Sequence, residues 1–116
     1  MSTRKSPSRR IIEEVASWDG VEMGPGRRGE LAFKVGGREI GHLHGDHAAH
    51  FVFPKELWVE LERQGRITFH PVFPKRQGPA ARTIRDDGDV EDVIALLRLN
   101  HTRAIASRAP VEKAAA

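Results

Sequence analysis

Residues 31 to 44 read LAFKVGGREIGHLH, and the two glycines at the centre decide how the chain folds. Each flanking run has the composition of a strand, and Gly36-Gly37 between them reads as the two-residue turn of a β-hairpin. That register sets Val35 opposite Arg38, Lys34 opposite Glu39, Phe33 opposite Ile40 and Leu31 opposite His42. The opposite charges of Lys34 and Glu39 support it. Because strand side chains alternate, Leu31, Phe33, Val35, Ile40, His42 and His44 are expected on one face, so that the two histidines continue an apolar surface.

Working outward from the hairpin, Ile11, Ile12, Val15 and Trp18 recur at helical spacing behind Ser8, a candidate cap, and Gly20 ends that helix. A short extended piece, Val21-Glu22-Met23, leads into the turn-rich GPGRRG. On the other side, after FVF, Pro54 opens a helix, PKELWVELERQ, whose Leu57, Trp58 and Leu61 face inward and whose Gly65 supplies a left-handed cap. RITFHPVF, ended by Pro71, and ARTIR read as two more strands. Asp87 or Asp89 caps a last helix carrying Val90, Val93, Ile94 and Leu97 at i, i+3, i+4 and i+7. The predicted order is α-β-β-α-β-β-α, an α+β single domain with helices packed on one mainly antiparallel sheet. Residues 1–7 and 104–116 are expected to be flexible tails around an ordered domain over residues 8–103.

The chain of 116 residues is the size of one domain with a single modest core. No apolar run approaches the ~18 residues that span a bilayer, and the basic start MSTRKSPSRR is not followed by the apolar core of a signal peptide, so a cytoplasmic location is expected. There are no cysteines, which excludes disulfides, thiolate zinc sites and cysteine nucleophiles; a metal would need His, Asp or Glu. The net charge of +3 is scattered over the tails and over pairs such as Arg27 with Arg28. It reads first as solvated surface and second as a nucleic-acid contact.

The chemistry concentrates just past the turn. Four of the six histidines, His42, His44, His47 and His50, fall in nine positions. Two imidazoles two residues apart on a strand project to the same side about 7 Å apart along the backbone, close enough to converge on one ligand. Asp46 and His47 beyond the strand end offer a carboxylate and a third nitrogen, and His70 can approach from a neighbouring strand. Three nitrogen or oxygen ligands with an open position is the arrangement of catalytic zinc, and the string His42-x-His44-x-Asp46-His47 is similar to the metal-binding string of the metallo-β-lactamase superfamily, whose fold needs a much longer chain. His50 reads as surface or packing, and His101 as a cation favoured by the end of the last helix.

Taken together, Arg38-Glu39-Ile40, His42-x-His44 with His47, His70-Pro71 and the closing DDGDVEDVIALLRLNH resemble the luciferase domain shared by fungal luciferases and small bacterial proteins. The resemblance covers about residues 28 to 103. It implies oxidation of an enol or phenol by molecular oxygen, an oxidoreductase of luciferase-like monooxygenase type, with no organic cofactor. It also implies site roles for His42, His44, His47 and His70, of which His42, His44 and His70 are expected to be catalytic. An imidazole with a pKa of about 6.5 suits proton removal from an enol, and Arg38 or a histidine suits an oxyanion. Arg38, Asp46, His47 and Trp58 are the candidate substrate-binding residues around them.

Two other readings compete with a small-molecule site. One is a non-catalytic module of the YjbR type that binds nucleic acid or protein; the other is a divalent-metal protein using His42, His44 and His47. No cofactor is required by the first reading, and no membrane partner is expected by any.

Overall fold

A computed structural model describes residues 5–115, with side chains through residue 107. In chain order the elements are α1 (Pro7–Ala16), β1 (Val21–Pro25), β2 (Leu31–Val35), β3 (Arg38–His44), β4 (Ala48–Val52), α2 (Lys55–Arg63), β5 (Thr68–Phe69), β6 (Pro79–Thr83) and α3 (Asp87–Ala115). The strands form one antiparallel sheet in the order β1-β2-β3-β4-β6-β5. The α+β class therefore holds, with two strands more than the spacing predicts. Val21-Glu22-Met23 is not a lead-in but the start of β1, closed onto β2 by a tight turn in which Gly26 N–H donates to the Glu30 carbonyl. AAHFV is not an exit from the hairpin but the central strand β4, which pairs with both β3 and β6. Its Ala49 and Phe51 alternate with His50, the period of a strand with two different faces.

The central hairpin turns where expected. Gly36 and Gly37 have φ of 57° and 79°, which residues with a Cβ rarely adopt, and Val35 faces Arg38 while Lys34 faces Glu39. Beyond that point the register slips. Phe33 lies opposite Gly41, not Ile40, and Leu31 lies opposite Leu43, not His42. Ile40 is the extra residue of a β-bulge, and one added residue sends every later side chain to the other face. Ile40 and Leu43 accordingly join Phe33, Val35, Ala49, Phe51 and Ala80 in the core, while His42 and His44 leave it. The expectation that they continue the apolar face is thus corrected by a single residue.

All three helices build on that one face. Ile11 and Val15 of α1, Trp58 and Leu61 of α2, and Val90, Val93, Leu96 and Leu97 of α3 are buried against the strand residues just named. Each such side chain contributes roughly 1.5–3 kcal/mol by leaving water. Gly41 lets α3 sit close: a Cβ there would come within 2.5 Å of Leu97 Cδ2. Asn100 of α3 donates to the carbonyls of Ile40 and Val52, so the helix also satisfies sheet groups.

Several boundaries differ from expectation. Ser6, not Ser8, caps α1 by accepting from the Arg9 N–H, with Pro7 in the first turn. Asp86 rather than Asp87 or Asp89 caps α3 by accepting from the Asp89 N–H, and Asp89 in return accepts from the Arg85 N–H. The last helix continues past Arg103: Ala104 is buried and Ile105 packs on the core. The first four residues of the expected N-terminal tail lie outside the described residues. Among the described residues, no helix is long and apolar enough to cross a membrane.

Candidate functional site

The face of the sheet opposite the helices carries the histidines. On β3, the bulge turns His42 and His44 outward; on β4, His50 lies directly opposite His42. His70 follows the two-residue strand β5, where Pro71 ends the ladder and a bridge between His70 and Phe73 closes the turn. His50 sits at the centre of the four rings. Its centroid is 5.2 Å from His42, 4.3 Å from His44 and 4.2 Å from His70, and His42 and His44 are 4.9 Å apart. His70 packs on His50, as His42 and His44 do, so the histidine that links it to that pair is one that reads in the sequence as packing.

Two carboxylates order this cluster. Glu39 Oε2 lies 2.8 Å from His42 Nδ1, a pairing across the bulge that ideal alternation forbids. A His42 that donates Nδ1–H to Glu39 presents Nε2 as its ligand atom, the way carboxylates orient metal-binding imidazoles. Glu30 Oε2 stands 3.9 Å from that Nε2, and Glu30 is only 12% exposed at its side chain. Its other oxygen accepts from the Arg28 N–H at 2.8 Å, which holds its pKa below the usual carboxylate range together with its own backbone N–H and the nearby imidazoles.

Two of the four rings, His50 and His70, are set against protonation. Burial, followed by the neighbouring His70, His44 and His42, lowers the pKa of His50 to about 4. His50 Nδ1 is buried with no hydrogen-bond partner. Burial and the nearby His42 and His44 lower His70 as well. His70 Nδ1 accepts from the Val72 N–H at 3.0 Å, so its neutral ring carries the proton on Nε2 and is a donor.

One nitrogen from each of His42, His44 and His50 lies within 4.8 Å of the others. A zinc-type ion with bonds of ~2.1 Å holds its donors about 3.4 Å apart, so small ring rotations bring these three onto one ion and leave a position open. Three imidazole ligands without a thiolate suit zinc, iron, copper or nickel.

The remaining expected residues lie elsewhere. His47 is exposed in the turn between β3 and β4, where its backbone bonds to His44 and Ile84, and His50 takes the place in the three-histidine group that the spacing gives to His47. Asp46 accepts from the Ser8 N–H and ties that turn to the first turn of α1. Trp58 is buried in the helix-side core, donating to the Pro79 carbonyl and packing against Phe69. Arg38 borders a small groove of about 260 Å³ with Asn100 and Arg103, at the end of β3 away from His44. His101 is not at a helix end: it is buried within α3, bonded to the Asp19 carbonyl and packed against Trp18.

His50, Glu30 and Glu39 are the residues that the sequence reading misses. The bulge hides the relation of Glu39 to His42, and the alternation in AAHFV is the signal that would have placed His50. The family model described as Luciferase domain matches residues 37–100. A search of curated proteins and a search of solved structures find no match.

Proposed function

For a chain that belongs to the luciferase-domain family, we propose that the open histidine face binds a divalent transition metal and oxidises an enol or phenol with molecular oxygen. The observation that carries this reading is the convergence of His42, His44 and His50, whose ring nitrogens lie within 4.8 Å of one another on the sheet face opposite the helices. His42 enters already oriented by Glu39, and His50 has a buried nitrogen in search of a partner. A divalent ion there supplies Lewis acidity, lowering the pKa of an enol oxygen bound beside it.

The residues of the chain then divide the work. The enol proton leaves to water, the enolate carbon forms a bond to oxygen, and a proton from water completes the hydroperoxide. The sum is substrate plus one O2, with no outside reductant. His70, a donor through Nε2, faces the cluster and stabilises the negative charge that gathers on oxygen. The pairing of Arg10, Arg66 and Arg82 with carboxylates favours this reading over a phosphate-binding surface.

The test is oxygen uptake by protein loaded with Fe(II), Mn(II) or Zn(II), with a hydroxypyrone, a catechol and a catechol bearing a carboxylic acid as probes. One loaded form should consume oxygen in a 1:1 ratio with probe, and His50→Ala should slow it by at least 100-fold. Absence of uptake with every loaded form, or equal rates in His50→Ala, would sink the proposal.

A further inference from the structure

Beside the histidines the end of the sheet opens into a groove of about 680 Å³, walled by Ser8 and Ile12 of α1, floored by Leu31 and Leu43, and rimmed by Arg28, Glu30 and His44. Its two sides differ in character. The α1 side is aliphatic, held in place because Asp46 accepts from the Ser8 N–H and so pins the helix over the turn between β3 and β4. The other rim carries a cation. Arg28 lies in the turn between β1 and β2, whose backbone is fixed by Gly26 N–H donating to the Glu30 carbonyl and by Gly29, with φ of 82°. Among the described residues, the acidic partners of the arginines are Glu13, Glu60, Asp87, Asp89, Glu91 and Asp92, and none of them pairs with Arg28. The neighbouring Glu30 is engaged elsewhere, with one oxygen on the Arg28 backbone N–H and the other turned to His42.

We infer that Arg28 is the specificity residue of this groove, pairing with the carboxylate of a substrate whose apolar body lies on Ile12, Leu31 and Leu43 and whose oxidisable oxygen reaches His44. The substrate class is thus an aryl or acyl acid with an enol or phenol group, rather than a neutral phenol. A guanidinium fork matches a carboxylate with two parallel hydrogen bonds, which a neutral ester cannot reproduce. This inference rests on reading the histidine face as the oxidation site, but binding can be measured without turnover.

The experiment titrates the whole chain with 4-hydroxyphenylacetate and with its methyl ester, following the methyl signals of Ile12, Leu31 and Leu43 by NMR. The acid should bind at least tenfold more tightly than the ester and shift those three residues. Arg28→Met should erase the tenfold difference, and Arg28→Lys should keep part of it. Equal binding of acid and ester, no binding of the acid at about 10 mM (a free energy of only about −2.7 kcal/mol), or an unchanged difference in Arg28→Met would overturn the inference. In His50→Ala, which disables the proposed oxidation, the preference for acid should persist; its loss there would assign the selectivity to the histidine face and overturn the role of Arg28.

Discussion

His50 is the residue on which the site turns. Its ring touches those of His42, His44 and His70, and its low pKa of about 4 follows mainly from burial and then from those three neighbours. A histidine whose folded pKa lies below its unfolded value of about 6.5 is neutral in both states above that pH and contributes nothing there to pH dependence. As pH falls from 6.5 toward 4 the unfolded chain takes up a proton that the folded chain refuses, so stability is lost in that window and levels off below it. For metal-free protein we expect the His50 share to be roughly 1–2 kcal/mol, reduced from the full shift because the ring is only half-buried and solvent screens it. Urea unfolding at pH 7.5 and pH 4.5 measures it: His50→Asn should lose less stability between the two than the parent chain. An equal loss would remove the argument. At this scale the sequence offers His42, His44 and His70, but His50 differs from a packing histidine only through the alternation of AAHFV and what lies opposite it on β3.

At the scale of elements, the hairpin was legible because two adjacent glycines leave few alternatives, and the helices because their apolar residues repeat at the right period. The bulge was not. The alternation from Val35 back to Leu31 is regular, and the same regularity on the partner strand predicts the wrong face for its histidines. Two features mark the interruption once it is known: Gly41 lies inside the strand, and Ile40 and Leu43, three apart, are both apolar. Gly41 also has no room to become anything else. Leu97, against which a Cβ would fall, is itself fully buried, and the His50 carbonyl would be 3.2 Å away. Gly41→Ala should therefore destabilise the fold by about 1–3 kcal/mol, read as a lower urea midpoint with an unchanged slope. A midpoint equal to that of the parent chain would mean that α3 does not depend on this close approach.

For the molecule as a whole, the division of the sheet into two faces explains both the fold and the site. One face carries the apolar side chains and receives all three helices; the other collects polar side chains from β3, β4 and the end of β5. The class, the hairpin and most of the core were readable, since they depend on period and composition. The site was readable only in part, because it joins His42 and His44 to His50 and Glu30 through strand pairings that local sequence does not specify. The chain's membership of the luciferase-domain family fits this arrangement, with the matched residues 37–100 spanning His42, His44, His50 and His70. The central claim is that His42, His44 and His50 hold one ion, and titration of untagged, metal-free protein with Co(II) tests it most directly. The account predicts visible absorption bands that saturate at about one Co(II) per chain, as a single open three-nitrogen site requires, and that vanish in His50→Ala but survive in His47→Ala. Bands lost in His47→Ala and kept in His50→Ala, or no bands at all, would contradict it.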